Sequence, residues 1–252
     1  MKLTIITVCH NSEQFIADAL RSVDVQSWPD IEHIVIDGGS TDGTVRIIHE
    51  HPQPWRRVVS EPDHGIYDAM NKGIRMATGD VVGFLNSDDF FASPDALQGL
   101  GSVLRDPRVD ACYGDLCYVE PAATSRVVRY WRSSPFRKGA FLSGWCPPHP
   151  TFYVRRSILQ RYGNFDLTYS IASDIELMIR MMEVVGIRTR YIPGVLVHMR
   201  LGGTTNKSWR NVLTQNREIW HAMQRHGLHP SLIAFVLGKF ISRSRQFVTR
   251  PG

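Results

Sequence analysis

The sequence predicts an α/β fold with a mostly parallel sheet flanked by helices, and three observations carry that expectation. Short apolar runs recur at residues 4–8, 34–36, 58–59 and 81–85. Each of the first three is followed by a polar loop and then by apolar residues at helical spacing. Carboxylates stand just beyond the runs, at Asp37, Asp63, Asp88 and Asp89. Strand, loop and helix repeated in that order build parallel strands covered on both faces, and such sheets bind ligands at the carboxyl ends of their strands.

In the first unit, residues 4–8 lead into Cys9-His10-Asn11-Ser12, after which Phe15, Ile16, Ala19, Leu20 and Val23 mark one helix face. The second strand ends at Asp37-Gly38-Gly39-Ser40-Thr41-Asp42-Gly43-Thr44, followed by a short helical pattern through Val45 and Ile48. Adjacent glycines let backbone approach a ligand closely. The segment has neither dinucleotide nor phosphate-loop spacing, so a plain tight turn is the alternative. The third strand runs into Ser60-Glu61-Pro62-Asp63-His64-Gly65, and Ile66, Met70, Ile74 and Ala77 then share a helix face, with Gly79 expected as its C-terminal cap.

The fourth run stops at Asn86-Ser87-Asp88-Asp89. Neighbouring carboxylates repel unless a cation sits beside them, and oxygen ligands on a rigid strand end suit hard divalent ions. Asp88 and Asp89 are therefore metal-ligand candidates; for such a pair in isolation the alternative is a helix cap beside a solvated Asp. Asp37, Asp63 and this pair are expected to cluster along one edge. Ser93-Pro94-Asp95 then reads as a helix start, with Ser93 as cap.

From Ala111 to Tyr130 short β-rich pieces indicate hairpins, and residues 131–150 read as a loop holding Trp145 and His149. A strand at residues 151–154 and a helix through Ile158 and Leu159 follow. Ser173-Asp174 opens another helix, in which Ile175, Met178, Ile179 and Met182 are expected to face the core. Asp174 there is open to a helix-capping reading. The Met stripe is packing. A helix from Trp209 to Met223 ends at Gly227, and Pro230 starts a last one.

With 252 residues, 43% hydrophobic and 21% charged, the composition is that of a soluble globular protein able to bury a large core. No apolar run is long enough to span a bilayer, and the N-terminal run is too short for a signal peptide. Cys9, Cys112, Cys117 and Cys146 have no zinc spacing and are expected as free thiols in the cytoplasm. The net charge of +5 is uneven: residues 207–252 carry eight basic residues against Glu218 alone, a balance of +7 that leaves −2 for residues 1–206. A basic amphipathic segment with Leu232, Ile233, Phe240, Lys239, Arg243 and Arg245 reads as lying on an anionic membrane surface at the inner face of the plasma membrane, or as packing on the body or a second subunit. No aromatic and basic recognition motif accompanies the charge, so nucleic acid is not the expected partner.

Together the motifs resemble the family 2 glycosyltransferases with the GT-A fold. The resemblance rests on Thr7-Val8-Cys9-His10-Asn11, Asp37 to Thr44, Glu61-Pro62-Asp63-His64-Gly65-Ile66-Tyr67-Asp68-Ala69-Met70-Asn71-Lys72-Gly73, and Leu85-Asn86-Ser87-Asp88-Asp89. It implies a catalytic domain over residues 1–206 and a basic helical tail over residues 207–252. It further implies an inverting transfer from a nucleotide-sugar donor, usually a UDP-sugar, to a glycan or lipid-linked acceptor, with Mn²⁺ or Mg²⁺ as cofactor. Asp37 would bond the base, beside Thr7, Cys9 and Asn11; Gly38, Asp63, Asn71, Lys72 and Ser87 belong to the same donor motifs. Asp88 would contact the ribose or metal region, Asp89 and His198 the metal, and Asp174 would be the catalytic base, although Ser173 replaces the family's usual Glu before it. Arg200-Leu201-Gly202-Gly203-Thr204-Thr205 would close over the diphosphate, an ordinary exit loop being the alternative. A nucleotide-sugar-binding module without turnover is the rival reading, and it would need no Asp174.

Overall fold

The computed structural model describes residues 1–202 and 209–248. Four strands, β1 (Leu3–Cys9), β2 (Ile31–Asp37), β3 (Arg56–Ser60) and β4 (Val81–Phe84), are all parallel in the order β3-β2-β1-β4. Helices α1 (Ile16–Asp24), α2 (Thr44–His49) and α3 (Ile66–Met76) connect them, as the repeated units predict. β1 is buried along its whole length because both faces are covered. Ile6 and Val8 join the core under α3, whereas Leu3 and Ile5 join the opposite core with Ala19 and Val23 of α1. This is why the strands read as unbroken apolar runs rather than alternating ones.

Beyond β4 the sheet becomes mixed. The two-residue β5 (Phe90–Phe91) precedes α4 (Ala96–Leu104), and β6 (Ala111–Val119) forms a hairpin with β7 (Val127–Trp131). β8 (Tyr153–Arg155) inserts antiparallel between β4 and β6. The long β9 (Thr189–Arg200) lies parallel to β6 and pairs antiparallel with β5. The parallel character expected of the whole sheet therefore holds for its first four strands and for β6 with β9. Helices α5 (Arg156–Tyr162) and α6 (Ser173–Met178) follow β8, and α6 continues as a wider turn over Ile179–Val185. α7 (Trp209–Arg225) and α8 (Leu232–Val248) close the described chain.

Two local expectations are corrected. Gly79 does not cap α3: the helix ends at Ala77, which is already extended, and Gly79 instead passes so close to β1 that a Cβ there would lie 2.5 Å from Thr4 Oγ1. Ser93 does not cap α4, which begins at Ala96 behind Asp95; Ser93-Pro94-Asp95 forms a turn whose Asp95 carboxylate accepts from the Ser27 hydroxyl. On α6 and its continuation, Met178, Ile179 and Met182 are buried as expected, and Ile175 packs against the same core while also lining a cavity.

The C-terminal helix packs on the body. Phe235 is 4% exposed and meets Trp220 edge-on, and Gly238 lies against the Ser143 carbonyl where any Cβ would clash. The opposite face stays open, with Ile233 72% and Phe240 69% exposed. The proposed boundary at 206/207, the closing-loop residues Gly203, Thr204 and Thr205, and the basic residues Lys207 and Arg250 lie outside the described residues.

Candidate active site

A cavity of ≈ 750 Å³ opens at the carboxyl ends of β1 and β4. Cys9 enters it from the end of β1 and Asn11 from the loop that follows, Asp63 from the loop after β3, Ser87 and Asp88 from beyond β4, Asp174 from α6 and Arg200 from β9. Non-local strand pairing therefore gathers residues spread over nearly 200 positions onto one rim.

The β1 loop is held by its own side chains. Asn11 adopts φ 49°, a left-handed conformation that Asn tolerates better than most residues. Its side-chain oxygen accepts from Thr41 N–H at 2.9 Å, and its own N–H donates to the Ser40 hydroxyl at 2.8 Å. The Ser12 and Ser87 hydroxyls, 2.9 Å apart, tie this loop to the end of β4. Burial, then the Asp37 charge, pushes the Cys9 thiol well above its ordinary pKa, so it is a neutral wall of the cavity. Gly38 lets the Asp63 carboxylate approach the loop: a Cβ there would lie 2.4 Å from Asp63 Oδ2 unless that side chain moved.

Several residues of the expected donor set do not reach the cavity. Thr7 is fully buried, and its hydroxyl accepts from His33 Nε2 at 2.9 Å. The donor role there belongs to the ring because His33 Nδ1 already accepts from Arg56 Nε. Asp37 is also fully buried. Its carboxylate accepts from the Ser60 hydroxyl at 2.7 Å and from the Ser40 amide and hydroxyl. Burial raises its pKa, but those hydrogen bonds outweigh it and hold the carboxyl below its ordinary value. It thus shapes the glycine loop from within. Asn71 clamps the Phe165 backbone with both its amide atoms, and Lys72 ties Glu61 to the Pro62 carbonyl.

At the end of β4, Asp88 lines the cavity while Asp89 is fully buried, accepting from Asn86 Nδ2 at 3.0 Å. Burial, then the charge of Asp88, drives the Asp89 carboxyl well above the usual range. A cation beside the pair removes that repulsion, and a hard divalent ion is commonly held by one or two carboxylates plus phosphate oxygens. Two carboxylates at a strand end are donor chemistry that suits Mn²⁺ or Mg²⁺, and of the two Asp88 faces the cavity while Asp89 does not line it. His198 does not complete the set: its ring packs edge-on against Phe90, 5.2 Å between centroids. No group of three or more His, Cys, Asp or Glu side chains gathers at metal distance among the described residues.

Arg200 is likewise not the free cation expected of a closing loop. It is 4% exposed, paired with Asp18, sandwiched between the rings of Phe15 and Phe90, and donates to the Asp88 carbonyl at 2.9 Å. It braces the carboxylate turn. Asp174 does face the cavity, and its Oδ1 lies 3.0 Å from the Tyr67 hydroxyl and accepts from Ile175 N–H.

Sequence reasoning does not single out some of the lining residues as site residues. Tyr67 lies inside the Glu61 to Gly73 motif, where its aromatic character points to the core. Lys239, Arg243 and Gln246 of α8 and Arg129 of β7 also line the cavity. The i, i+4 spacing of Lys239 and Arg243 is the available signal, and it reads equally well as a membrane-facing stripe.

The sequence profile described as Glycosyl transferase family 2 matches residues 4–163. An uncharacterized glycosyltransferase of Mycobacterium tuberculosis is 34% identical over 184 residues, covering 71% of this chain and 68% of that protein. Among solved structures, S. aureus TarS 1-349 in complex with UDP aligns with a TM-score of 0.66 at 18% identity, covering 99% of this chain and 72% of that one. The mannosyltransferase PcManGT from Pyrobaculum calidifontis, in complex with GDP-Man and Mn²⁺, aligns with a TM-score of 0.65 at 22% identity, covering 96% and 75%. At those identities the two structures establish the likeness of fold.

Proposed function

Because the chain belongs to glycosyl transferase family 2, we propose that it moves a sugar from a nucleotide-diphosphate donor, a UDP-sugar, to an acceptor hydroxyl with inversion. The observation that carries this reading is that one cavity brings Asp88, at the end of a buried strand, together with Asp174 on α6 and the loops bearing Cys9, Asn11 and Asp63. UDP in the S. aureus neighbour and GDP-Man with Mn²⁺ in the archaeal one support a nucleotide-sugar donor and a divalent ion.

Cys9, Asn11 and Asp63 line the end that would take the nucleoside, with Asp37 holding the glycine loop beneath it. A divalent ion at Asp88 and Asp89 would supply electrostatic stabilisation of the departing diphosphate. Asp174 accepts the acceptor's proton as that oxygen bonds the anomeric carbon and the bond from that carbon to the diphosphate oxygen breaks. A single displacement inverts the centre. Tyr67 positions the Asp174 carboxylate.

The acceptor is a glycan or a lipid-linked glycan, and α8 favours the second. Its outer face exposes Ile233, Val236, Leu237 and Phe240, and Arg245 is the cation of α8 that does not line the cavity, an arrangement that suits a bilayer surface. No helix among the described residues is long and apolar enough to cross a membrane, so the contact is peripheral. A panel of nucleotide sugars screened for thermal stabilisation with Mn²⁺, followed by measurement of nucleotide release, tests the function. Stabilisation by one donor with nucleotide release is expected. Stabilisation without release under any acceptor would leave a binding module, and no stabilisation would overturn the donor assignment.

A further inference from the structure

One wall of the cavity is cationic, and the donor reading leaves it unused. Arg129 on β7 and Lys239 and Arg243 on α8 line it, and none of the three is in an ion pair among the described residues. Arg129 stacks at 3.9 Å over the Tyr118 ring, and its buried Nε has no hydrogen-bond partner. Lys239 Nζ has a neutral partner, the Asn216 side-chain oxygen at 2.6 Å. Gln246 beside them is 6% exposed with an unpartnered Oε1. Arg129 and Lys239 are half-buried and Arg243 is exposed; three cations facing one cavity without carboxylate partners favour an anion there.

Resting on the glycosyltransferase reading, we propose that this wall is an acceptor-side subsite that binds a phosphate group carried by the acceptor. Position separates it from the donor diphosphate. β7 pairs with the same edge of β6 that β8 uses, so the separation is from β5, which follows Asp89: β9 and β6 lie between β5 and β7, three strand spacings or roughly 14 Å along the sheet. Lys239 instead borders the base: it packs against Gly144, and the buried Cys146 thiol lies in the fields of both Asp174 and Lys239. Burial, then the neighbouring Arg243, lowers Lys239 to about 8, so an arriving phosphate would restore its full charge. The same helix turns its apolar face outward. A lipid phosphate at a bilayer surface would thus reach the inner face of α8 while its chain stays in the membrane, placing the hydroxyl to be glycosylated near Asp174.

The test titrates full-length protein, saturated with UDP and Mn²⁺, with three probes: dodecyl phosphate, inorganic phosphate and an uncharged dodecyl glycoside. Arg129→Gln, Lys239→Gln and Arg243→Gln are compared with wild type, with Arg243→Lys as the conservative control and a melting temperature for each. Dodecyl phosphate is expected to bind wild type, and each Gln variant to lose about tenfold or more while UDP affinity changes by less than about twofold. Inorganic phosphate binding at the same residues identifies the phosphate as the recognised group, and binding of the alkyl chain alone, shown by an equal affinity for the glycoside, overturns the proposal. Loss of UDP affinity in parallel would reassign the cations to the donor diphosphate and overturn it too. If wild type binds the alkyl phosphate but no nucleotide at all, the glycosyltransferase donor reading fails while the anion subsite stands.

Discussion

The Tyr67 hydroxyl lies 3.0 Å from Asp174 Oδ1 and 2.8 Å from the Ile171 carbonyl oxygen. Burial, then the Asp174 charge, raises the phenol well above its ordinary pKa, so it remains a proton donor shared between two acceptors. That fixes the rotamer of Asp174. Replacing Asp174 with Asn keeps the shape and removes the basicity, so turnover should fall by roughly two to four orders of magnitude with donor affinity retained. Tyr67→Phe should lower turnover by a smaller factor, about tenfold, leaving the nucleotide affinity unchanged. Near-normal turnover in the Asn variant would return Asp174 to a helix-capping role.

The buried pair of Thr7 and His33 makes stability depend on pH. Burial, then Arg56, holds His33 well below its ordinary pKa, so the folded protein does not take up a proton that the unfolded chain binds below about pH 6.5. Stability is therefore whole above that pH and falls as the pH drops through it, by up to about 1.4 kcal/mol per pH unit. His149 and His198 are lowered as well and add the same sign, whereas Asp89, being raised, opposes it. Urea denaturation of wild type and His33→Gln between pH 7 and 5 isolates the His33 share: the variant should lose about one proton's worth of slope. Parallel curves would mean that His33 titrates normally in the fold.

Glycine positions supply a packing test. Gly83 of β4 lies so close to the buried Tyr153 ring that a Cβ would sit 2.1 Å from Cε1. Gly83→Ala should destabilise the protein by about 3 kcal/mol. Gly99 in α4 has open space where a Cβ would stand, with no atom within 4 Å, and Gly99→Ala should stabilise by up to about 1 kcal/mol. Equal melting temperatures for the two variants would contradict the packing of β4 on β8.

Membrane contact is read from the outer face of α8 alone. Deleting everything after Gly227 looks from the sequence like a clean removal of a tail, yet it would take away the core residue Phe235 and the cavity residues Lys239 and Arg243. The double substitution Ile233→Ser and Phe240→Ser spares the packed face. Sedimentation with anionic vesicles should fall by about tenfold or more in that variant, high salt should release part of the wild type, and neutral vesicles should bind poorly. Unchanged sedimentation would point to a protein partner for this face.

The first half of the fold is legible in local pattern, because β1 to β4 and their helices repeat one unit whose apolar spacing is set by neighbours in the chain. The second half is less so: β9 pairs with β6 from Thr189 back to Ala111, and nothing local encodes that register. Cys9, Asn11, Asp63, Ser87, Asp88 and Asp174 are readable as cavity residues since each sits on a loop or helix end that the fold must expose. Thr7 and Asp37 belong to the same motifs but point inward, where a doubly covered sheet removes the alternation that would have separated inside from outside; Asn71 and Lys72 sit on α3 and are taken up by the Phe165 backbone and by Glu61 and Pro62. Lys239 and Arg243 are hidden from sequence reasoning because one face of α8 lines the cavity and the other is bare, and an amphipathic pattern alone does not tell them apart.

We propose that Asp88 and Asp89 form a metal-dependent donor site. Calorimetric titration of UDP into wild type and Asp89→Asn, each with Mn²⁺ and with a chelator, measures it most directly. Asp89 accepts from both Asn86 Nδ2 and Arg200 N–H, and Asn keeps one accepting oxygen, so a melting temperature accompanies the variant to separate charge from folding. Wild type should bind UDP with Mn²⁺ and lose about tenfold or more of that affinity with chelator, and Asp89→Asn should bind weakly in both. Equal UDP affinity in all four titrations, with Asp89→Asn as stable as wild type, would contradict the account.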